Sequence, residues 1–382
     1  SVRWLAAGRR SAAALIGSWF GHSTFGAAVM LRTDQRVVLL QHGGLDNLTG
    51  KTGLAMLRHR QGPIVAVIDP AHAGQNLVRV TGIERDVPVV HGIAEALEFA
   101  PEVAVIGLAP SGGRLPEALR VDALQALAAG LNLASGLHTR LGDDPLFQAA
   151  CRPDRWIWDL RCEPSGLQVG QARAAALSCQ RLLAVGTDMA VGKMSACLEL
   201  LAAARRRNVD CRFVGTGQAG ILIAGAGVAL DAVRVDYAAG AVEGAVLEAA
   251  ASIADDGLIL VEGQGSLCHP ASTATLPLLR GTQPTDLVLV HRAGQDCIQR
   301  LPQIPLPPLK DLLDCTEALA KLARPFNSGP AARVQAVALN TSQLSEAAAR
   351  QAVCDVEEEL NLPCTDPIRW SAEPLLEAVR RS

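Results

Sequence analysis

The sequence contains little lysine and few aromatic residues. Only four of its 35 basic residues are lysines, aromatic residues make up 3% of the 382 residues, and the formal net charge is −3 at pH 7. A chain without excess positive charge lacks the electrostatic footprint of proteins that bind nucleic acid or anionic membranes. We therefore expect neither of these partners. A small-molecule substrate is the partner that we predict instead.

The ten cysteines include no C-x-x-C pair, and several lie in apolar runs. This spacing excludes the common zinc and redox motifs and is typical of free thiols in a reducing compartment. The apolar segment at residues 1–31 is interrupted by His22 and Ser23, and no uninterrupted apolar run reaches the ~20 residues of a membrane span. We interpret the segment as part of the fold and expect a cytoplasmic protein.

Short apolar runs alternate with amphipathic helical patterns along most of the chain. The strand predictions are RVVLLQHGG, IVAVIDPAHAG and VAVIGLAPSGG in the first part, then RLLAVGTD, CRFVGTGQ, GLILVEGQGS, DLVLVHRAG and VQAVALNTS. This alternation predicts an α/β fold with parallel sheets. It is lost between the two parts, so we predict domains at 1–150 and 179–382 joined by a connecting segment at 151–178. The segment QRLPQIPLPPL predicts a Pro-rich loop in the second domain.

The stretch VGTDMAVGKMS, residues 185–195, is typical of a phosphate-binding loop between a strand and a helix. Five residues separate Gly186 from Gly192, one more than in the usual motif, and Lys193 follows. Backbone N–H groups at such a turn bind phosphate oxygens, and the lysine adds a positive charge. An ordinary glycine-rich turn is the alternative. The lysine favours phosphate binding, because a chain so rich in arginine uses lysine where a compact ammonium is needed.

The first domain contains a second Gly-Lys pair, in HGGLDNLTGKTG. Lys51 and Thr52 there suggest a second anion site, for a substrate carboxylate or the far end of a long cofactor. The alternative is a helix start capped by Thr49 with a solvent-facing lysine.

Other polar residues of the first domain follow predicted strands. Asp69 and His72 lie in DPAHAG, and Arg114 lies in GLAPSGGRLP. Because ligands bind beyond the carboxyl ends of parallel strands, we predict a substrate cleft there, with plain tight turns as the alternative.

In the second domain, polar residues again follow the strands. Glu262 and His269 come after GLILV: a carboxylate near a phosphate loop commonly holds magnesium, and a histidine is a candidate acid or base. His269 is alternatively a hydrogen-bonded turn residue. Gln218 follows a strand, and Asn340 ends one where it could meet a base edge. Arg369 lies in DPIRW.

These motifs together resemble a family long labelled a domain of unknown function, one member of which is a D-glutamate N-acetyltransferase. The resemblance extends from about Val37 to the end and includes VGTDMAVGKMS, GTGQAGILIAG, VDYAAGAVE, VEGQGSLCHP, ALNTSQL and DPIRW, with KTGLAMLR, VIDPAHAG and SGLH in the first part. It implies an N-terminal Rossmann-like domain followed by a P-loop domain similar to dethiobiotin synthetase. The positions that match the synthetase loop are Gly186, Thr187, Asp188, Val191, Gly192 and Lys193.

Met194 occupies the position at which a working P-loop has a magnesium-binding hydroxyl. Ser195 follows it, and one helical step turns a side chain by about 100°. This arrangement favours a cofactor whose phosphates are held and not cleaved, such as acetyl-CoA. The alternative is ATP with Mg²⁺, for which Ser195 and Glu262 would be the metal ligands.

The resemblance implies transfer of an acetyl group to the amine of D-glutamate. We expect Lys193 and the loop to bind the pyrophosphate, His269 or Glu262 to be the base, and Lys51, Arg114 or Arg369 to bind the carboxylates. The wider predicted sets are Met194, Ser195, Gln218 and Asn340 for the cofactor, and Thr52, Asp69 and His72 for the substrate. An ATP-dependent ligase or kinase, or a nucleotide-binding protein without turnover, is the alternative. We also expect a homo-oligomer.

Overall fold

The computed structural model of the chain describes residues 31–109 and 115–381. Within these ranges the chain forms two six-stranded sheets and one separate antiparallel strand pair. The strand pairs within both large sheets are parallel. The prediction of an α/β fold with two parallel sheets in tandem is confirmed. The expectations about residues 1–30 and about Arg114 concern parts of the chain outside the described ranges.

The first sheet has the strand order β3-β2-β1-β4-β5-β6, the doubly wound order of Rossmann-like domains. Its strands are β1 Val37–Leu40, β2 Ile64–Ile68, β3 Val89–Val90, β4 Val103–Ile106, β5 Asn132–Ser135 and β6 Ile157–Asp159. Its helices are α1 Lys51–His59, α2 Leu77–Thr81, α3 Ile93–Ala96, α4 Glu117–Ala128 and α5 Pro145–Ala150. Strand β6 lies in the segment that we predicted as the connection and pairs with β5.

The second sheet has the order β14-β13-β10-β7-β9-β8. Its strands are β7 Gln180–Gly186, β8 Cys211–Val214, β9 Leu258–Val261, β10 Asp286–Arg292, β13 Arg333–Asn340 and β14 Cys364–Thr365. The helices of this part are α6 Lys193–Arg206, α7 Gln218–Ala224, α8 Val235–Ala250, α9 Thr275–Thr282, α10 Leu309–Ala323, α11 Glu346–Leu360 and α12 Glu373–Arg381.

The Pro-rich loop prediction is wrong for Leu301–Pro305. These residues form β12, which pairs with β11, Cys297–Ile298. A two-stranded pair consists only of edge strands, where proline is tolerated because its missing N–H can point away from the partner.

The strands are apolar because both faces of each sheet are covered. In β1 all four residues are buried. Val37 and Leu39 pack on one face with Ile221 and Leu222 of the second domain, whereas Val38 and Leu40 pack on the other face within the first domain. A buried parallel strand therefore gives a continuous apolar run. The shared cluster packs α7 of the second domain against the first.

A membrane crossing requires a long apolar helix. Within residues 31–109 and 115–381, none of the helices meets both requirements of length and hydrophobicity.

Candidate functional site

The predicted phosphate loop connects β7 directly to α6. Strand β7 ends at Gly186, and α6 begins at Lys193 with Gly192 at its N-cap. The φ angle of Gly192 is +116°, a backbone conformation that a side chain disfavours. Helix α6 has 14 residues. The first N–H groups of a helix have no partner within it, so the amino end of α6 presents free N–H groups and the positive end of the helix dipole at the loop. The local structure is that of an anion cradle.

The side chain of Lys193 lies inside this loop and is 6% exposed. Its Nζ donates to the carbonyl oxygen of Asp188 at 2.7 Å. Its stem passes Gly186 and Gly263 so closely that a Cβ atom at either glycine would come within 3.0 Å or 2.9 Å of it. Burial lowers the pKa of Lys193 to about 8. The channel fits a slim ammonium and leaves little room for the broader guanidinium of arginine.

Thr187 and Asp188 hold the loop in place. The Asp188 carboxylate is fully buried and accepts from the Gln295 side chain at 2.6 Å and from the Gln299 N–H at 2.7 Å. The Thr187 hydroxyl lies 3.0 Å from Nδ1 of His291, whose pKa burial lowers to about 4. These partners come from β10 and the segment after it. Both predicted cofactor-binding side chains therefore bond to the protein itself.

Met194 and Ser195 face different surroundings. Met194 is partly buried and packs against the hydrophobic cluster between α6 and the second sheet. Ser195, one residue later, lines a cavity of about 670 Å³. The Ser195 side chain therefore faces this cavity and not the position of the magnesium-binding hydroxyl in a working P-loop.

The cavity lies between the two domains. The first domain contributes Leu57, Arg58, His59, Ile83 and Glu84, and the second contributes Val191, Gly192, Ser195, Ala196, Glu199, Val290, Ala338, Leu339, Asn340, Ser342, Asp366, Pro367, Ile368 and Arg369. Ile368 is 60% exposed and so presents apolar surface to a ligand. The cavity begins at the helix end of the phosphate loop and extends to α1.

Asn340 and Arg369 line the cavity but also stabilise its walls. Asn340 donates through Nδ2 to the Val191 carbonyl at 3.0 Å and accepts through Oδ1 from Ser342. Arg369 donates to the carbonyls of Thr341 and Leu344 and pairs with Glu346. Arg369 is therefore less available for a substrate carboxylate than the sequence suggested.

Glu262 follows β9 and is 4% exposed. Its Oε2 accepts from the N–H groups of Thr216 at 2.9 Å and Gly217 at 3.1 Å, and its Oε1 accepts from Gln264 at 3.2 Å. Burial raises its pKa to about 7, despite the N–H donors and Lys193, which lower it. A carboxylate with such a pKa is suited to accept a proton near neutral pH.

His269 belongs to a turn. Its Nδ1 accepts from the N–H of Ala271 at 3.1 Å, and its own N–H donates to the Ser266 hydroxyl. Ser266 in turn donates to the Thr187 carbonyl. The alternative of a hydrogen-bonded turn histidine describes this geometry.

The residues of the first domain that we predicted to bind the substrate lie at two separate places. Lys51 is exposed and begins α1, with Gly50, not Thr49, at the N-cap. Thr52 is buried, and its hydroxyl accepts from Nε2 of Gln218 across the domain boundary. Two residues predicted for different ligands thus contact each other.

Asp69 and His72 lie elsewhere. Asp69 accepts from the Gly43 N–H at 2.8 Å and lies 3.1 Å from the His72 ring, which lines a separate cavity of about 520 Å³ with Asp46. The structure does not bring this pair to the interdomain cavity.

The two predicted metal ligands, Ser195 and Glu262, have different surroundings. Ser195 lines the interdomain cavity, whereas both oxygens of Glu262 accept hydrogen bonds from the protein. Among the residues that the structure describes, no group of three or more histidine, cysteine, aspartate or glutamate residues could hold a metal ion.

Arg58, His59 and Glu199 were missed by the sequence analysis. The ring of His59 lies 3.7 Å from the Glu199 carboxylate across the cavity wall. Burial lowers the pKa of His59 to about 4 and raises the pKa of Glu199. Arg58 and His59 end a helix of the first domain, so a search of strand ends could not find them. His291 was missed although it is the penultimate residue of β10.

Comparisons with known proteins agree with this architecture. The family model of the DUF1611 P-loop domain matches residues 168–376, and that of the Rossmann-like DUF1611_N domain matches residues 70–163; both are described as domains of unknown function. A crystal structure of a DUF1611 family protein from Anabaena variabilis is 48% identical, with a TM-score of 0.83 over 91% of this chain and 100% of that chain.

Two curated relatives have a named activity. A D-glutamate N-acetyltransferase of Tritonibacter scottomollicae is 37% identical over 289 residues, 75% of this chain and 84% of that protein. Another from Pseudoalteromonas sp. is 34% identical over 286 residues, 74% of this chain and 83% of that protein.

Proposed function

The chain belongs to the DUF1611 family, and from this membership we propose that it is an N-acetyltransferase that moves an acetyl group from acetyl-CoA to the amine of D-glutamate. The names of the two relatives support acetyl transfer to D-glutamate. The donor is supported by the site itself.

The observation on which we base the donor is the position of Met194 and Ser195. The ammonium of Lys193 lies inside the loop, where it can bind phosphate oxygens. Met194 replaces the hydroxyl that would place magnesium, and its thioether packs against a hydrophobic cluster. Acetyl-CoA presents a pyrophosphate that must be held and not cleaved. The adjoining cavity of about 670 Å³ offers room for part of a large cofactor, with Ile368 as an apolar surface for a base.

Glu262 is the base in this proposal. Transfer forms a bond between the amine nitrogen and the thioester carbonyl carbon and breaks the bond from that carbon to sulfur. The proton lost by nitrogen passes through the Glu262 carboxylate to the departing sulfur, which leaves as the thiol of coenzyme A. Burial gives Glu262 a pKa near that required, and the N–H groups of Thr216 and Gly217 fix its orientation.

The acceptor is proposed to bind where Gln218 meets Thr52. Gln218 follows Gly217, which contacts Glu262, and Thr52 follows Lys51 at the start of α1. Contacts and chain neighbours therefore connect Glu262, the proposed base, with Lys51, an exposed lysine of the first domain. Lys51 supplies the positive charge that a dicarboxylate such as D-glutamate requires.

The test is product identification by mass spectrometry. The purified protein is incubated with acetyl-CoA and D-glutamate, with separate arms for L-glutamate and for Mg-ATP. N-acetyl-D-glutamate with free coenzyme A is the expected result. Release of ADP or AMP in the Mg-ATP arm, without acetylation in the others, would replace the proposal with ligase or kinase chemistry.

A further inference from the structure

We propose that Arg58 binds the 3′-phosphate of coenzyme A, so that the interdomain cavity selects coenzyme A over nucleotides that lack this group. The inference rests on the proposed function, because it assumes that coenzyme A occupies this cavity. Arg58 belongs to the first domain and the phosphate loop to the second, so in this proposal both domains bind the cofactor.

The position of Arg58 across the cavity is the first argument. Gly192 and Ser195 line the cavity at the phosphate loop, and Arg58 and His59 line it from the carboxyl end of α1. A ligand with its pyrophosphate on the loop and its adenine in the cavity therefore extends toward the first domain. The ribose, with any phosphate on it, lies between these two parts of such a ligand.

The free guanidinium of Arg58 is the second argument. The other two basic residues of the cavity are not free to bind an anion: Arg369 pairs with Glu346 and two carbonyl groups, and His59 is neutral near pH 7 because burial lowers its pKa. Arg58 is exposed, and its side chain forms no hydrogen bond or ion pair with the part of the chain that the structure describes. Its planar fork of donors matches a phosphate monoester.

Two of the three acidic residues that line the cavity are engaged by other groups of the protein. Asp366 accepts from Thr341 and Arg369, and burial raises the pKa of Glu199, which lies beside His59. Glu84 is exposed on the same wall as Arg58 and opposes anion binding. It therefore offers a matched control of opposite charge.

Titration calorimetry with coenzyme A and with 3′-dephospho-coenzyme A tests the inference. The wild-type protein is expected to bind coenzyme A about tenfold more tightly or better, the effect of one charge-assisted contact. Arg58→Ala should bind both ligands equally, with unchanged affinity for the dephospho form, and Arg58→Lys should retain part of the preference. Glu84→Gln should bind coenzyme A as tightly as the wild type or more tightly.

Five results would overturn the inference. An Arg58→Ala protein that keeps the full preference excludes the contact, and one that loses both ligands equally shows that Arg58 supports the cavity wall instead. If Glu84→Gln loses as much affinity for coenzyme A as Arg58→Ala does, the effect of Arg58→Ala is also attributed to the cavity wall and not to a phosphate contact. Equal binding of both ligands to the wild type refutes the inference alone, whereas binding of neither refutes the proposed function as well.

Discussion

The side-chain amide of Gln218 donates to the hydroxyl of Thr52, with 3.0 Å between Nε2 and Oγ1. The bond joins the two domains, and Thr52 is only 1% exposed. The Oε1 atom of Gln218 is buried and has no hydrogen-bond partner among the described residues. Because Gln218 follows Gly217, whose N–H donates to Glu262, the interface and the proposed base are held by adjacent residues.

Removal of this bond is expected to destabilise the protein. Thr52→Val keeps the shape of the side chain but leaves the Gln218 amide without its acceptor, so the free energy of unfolding should fall by about 1–3 kcal/mol. Thr52→Ser keeps the hydroxyl and is the matched control, expected to lose less. Denaturant unfolding monitored by circular dichroism measures both. Equal stability of Thr52→Val and the wild type would show that the bond contributes nothing.

Lys193 is expected to bind the cofactor and not to support the fold. Lys193→Ala should weaken acetyl-CoA binding by about 100-fold or more, because the loop loses its buried charge. Lys310→Ala is the control, since Lys310 is an exposed lysine paired with Asp314 on α10. Calorimetry reports the affinity, and circular dichroism reports the fold. Normal affinity in Lys193→Ala would remove the loop from the mechanism.

Two substitutions separate the candidate bases. Glu262→Gln keeps the size of the side chain but cannot accept a proton, so kcat should fall by about 100-fold or more. His269→Asn keeps a polar side chain in the turn and should leave kcat close to the wild-type value, because the His269 ring accepts from Ala271. Steady-state acetyl transfer decides between them. The reverse pattern would make His269 the base.

The two perturbed groups predict a narrow pH optimum. The Glu262 pKa of about 7 requires kcat/KM to rise as pH increases through 7, because only the carboxylate accepts a proton. The Lys193 pKa of about 8 requires kcat/KM to fall above pH 8, because neutral lysine binds phosphate poorly. Since kcat/KM reports groups of the free enzyme, a bell-shaped profile between these values is expected. A profile that is flat from pH 6 to 9 would contradict both assignments.

The phosphate loop was predictable from sequence because its signal is local. A strand, two glycines at fixed spacing and a lysine before a helix together specify the turn, and the structure confirms that β7 is joined to α6 there. The strands β3 and β14 were missed because two residues each are too few to show a period.

The interdomain features needed the three-dimensional arrangement. Thr52 and Gln218 were each assigned to a ligand, since nothing in the sequence shows that positions so far apart will meet. Arg58 was missed for a topological reason. A helix that connects parallel strands runs back across the sheet, so its carboxyl end lies at the edge opposite to the one at which ligands usually bind.

The stoichiometry of the reaction distinguishes metal-free acetyl transfer from ATP-dependent chemistry. Thiol release and acetylated product are measured together, with acetyl-CoA and D-glutamate as substrates and EDTA present. One N-acetyl-D-glutamate is expected for each coenzyme A released, without a metal ion, because Met194 replaces the metal-placing hydroxyl and Glu262 bonds to protein donors. Product that forms only with Mg-ATP, or thiol release without acetylated D-glutamate, would contradict it.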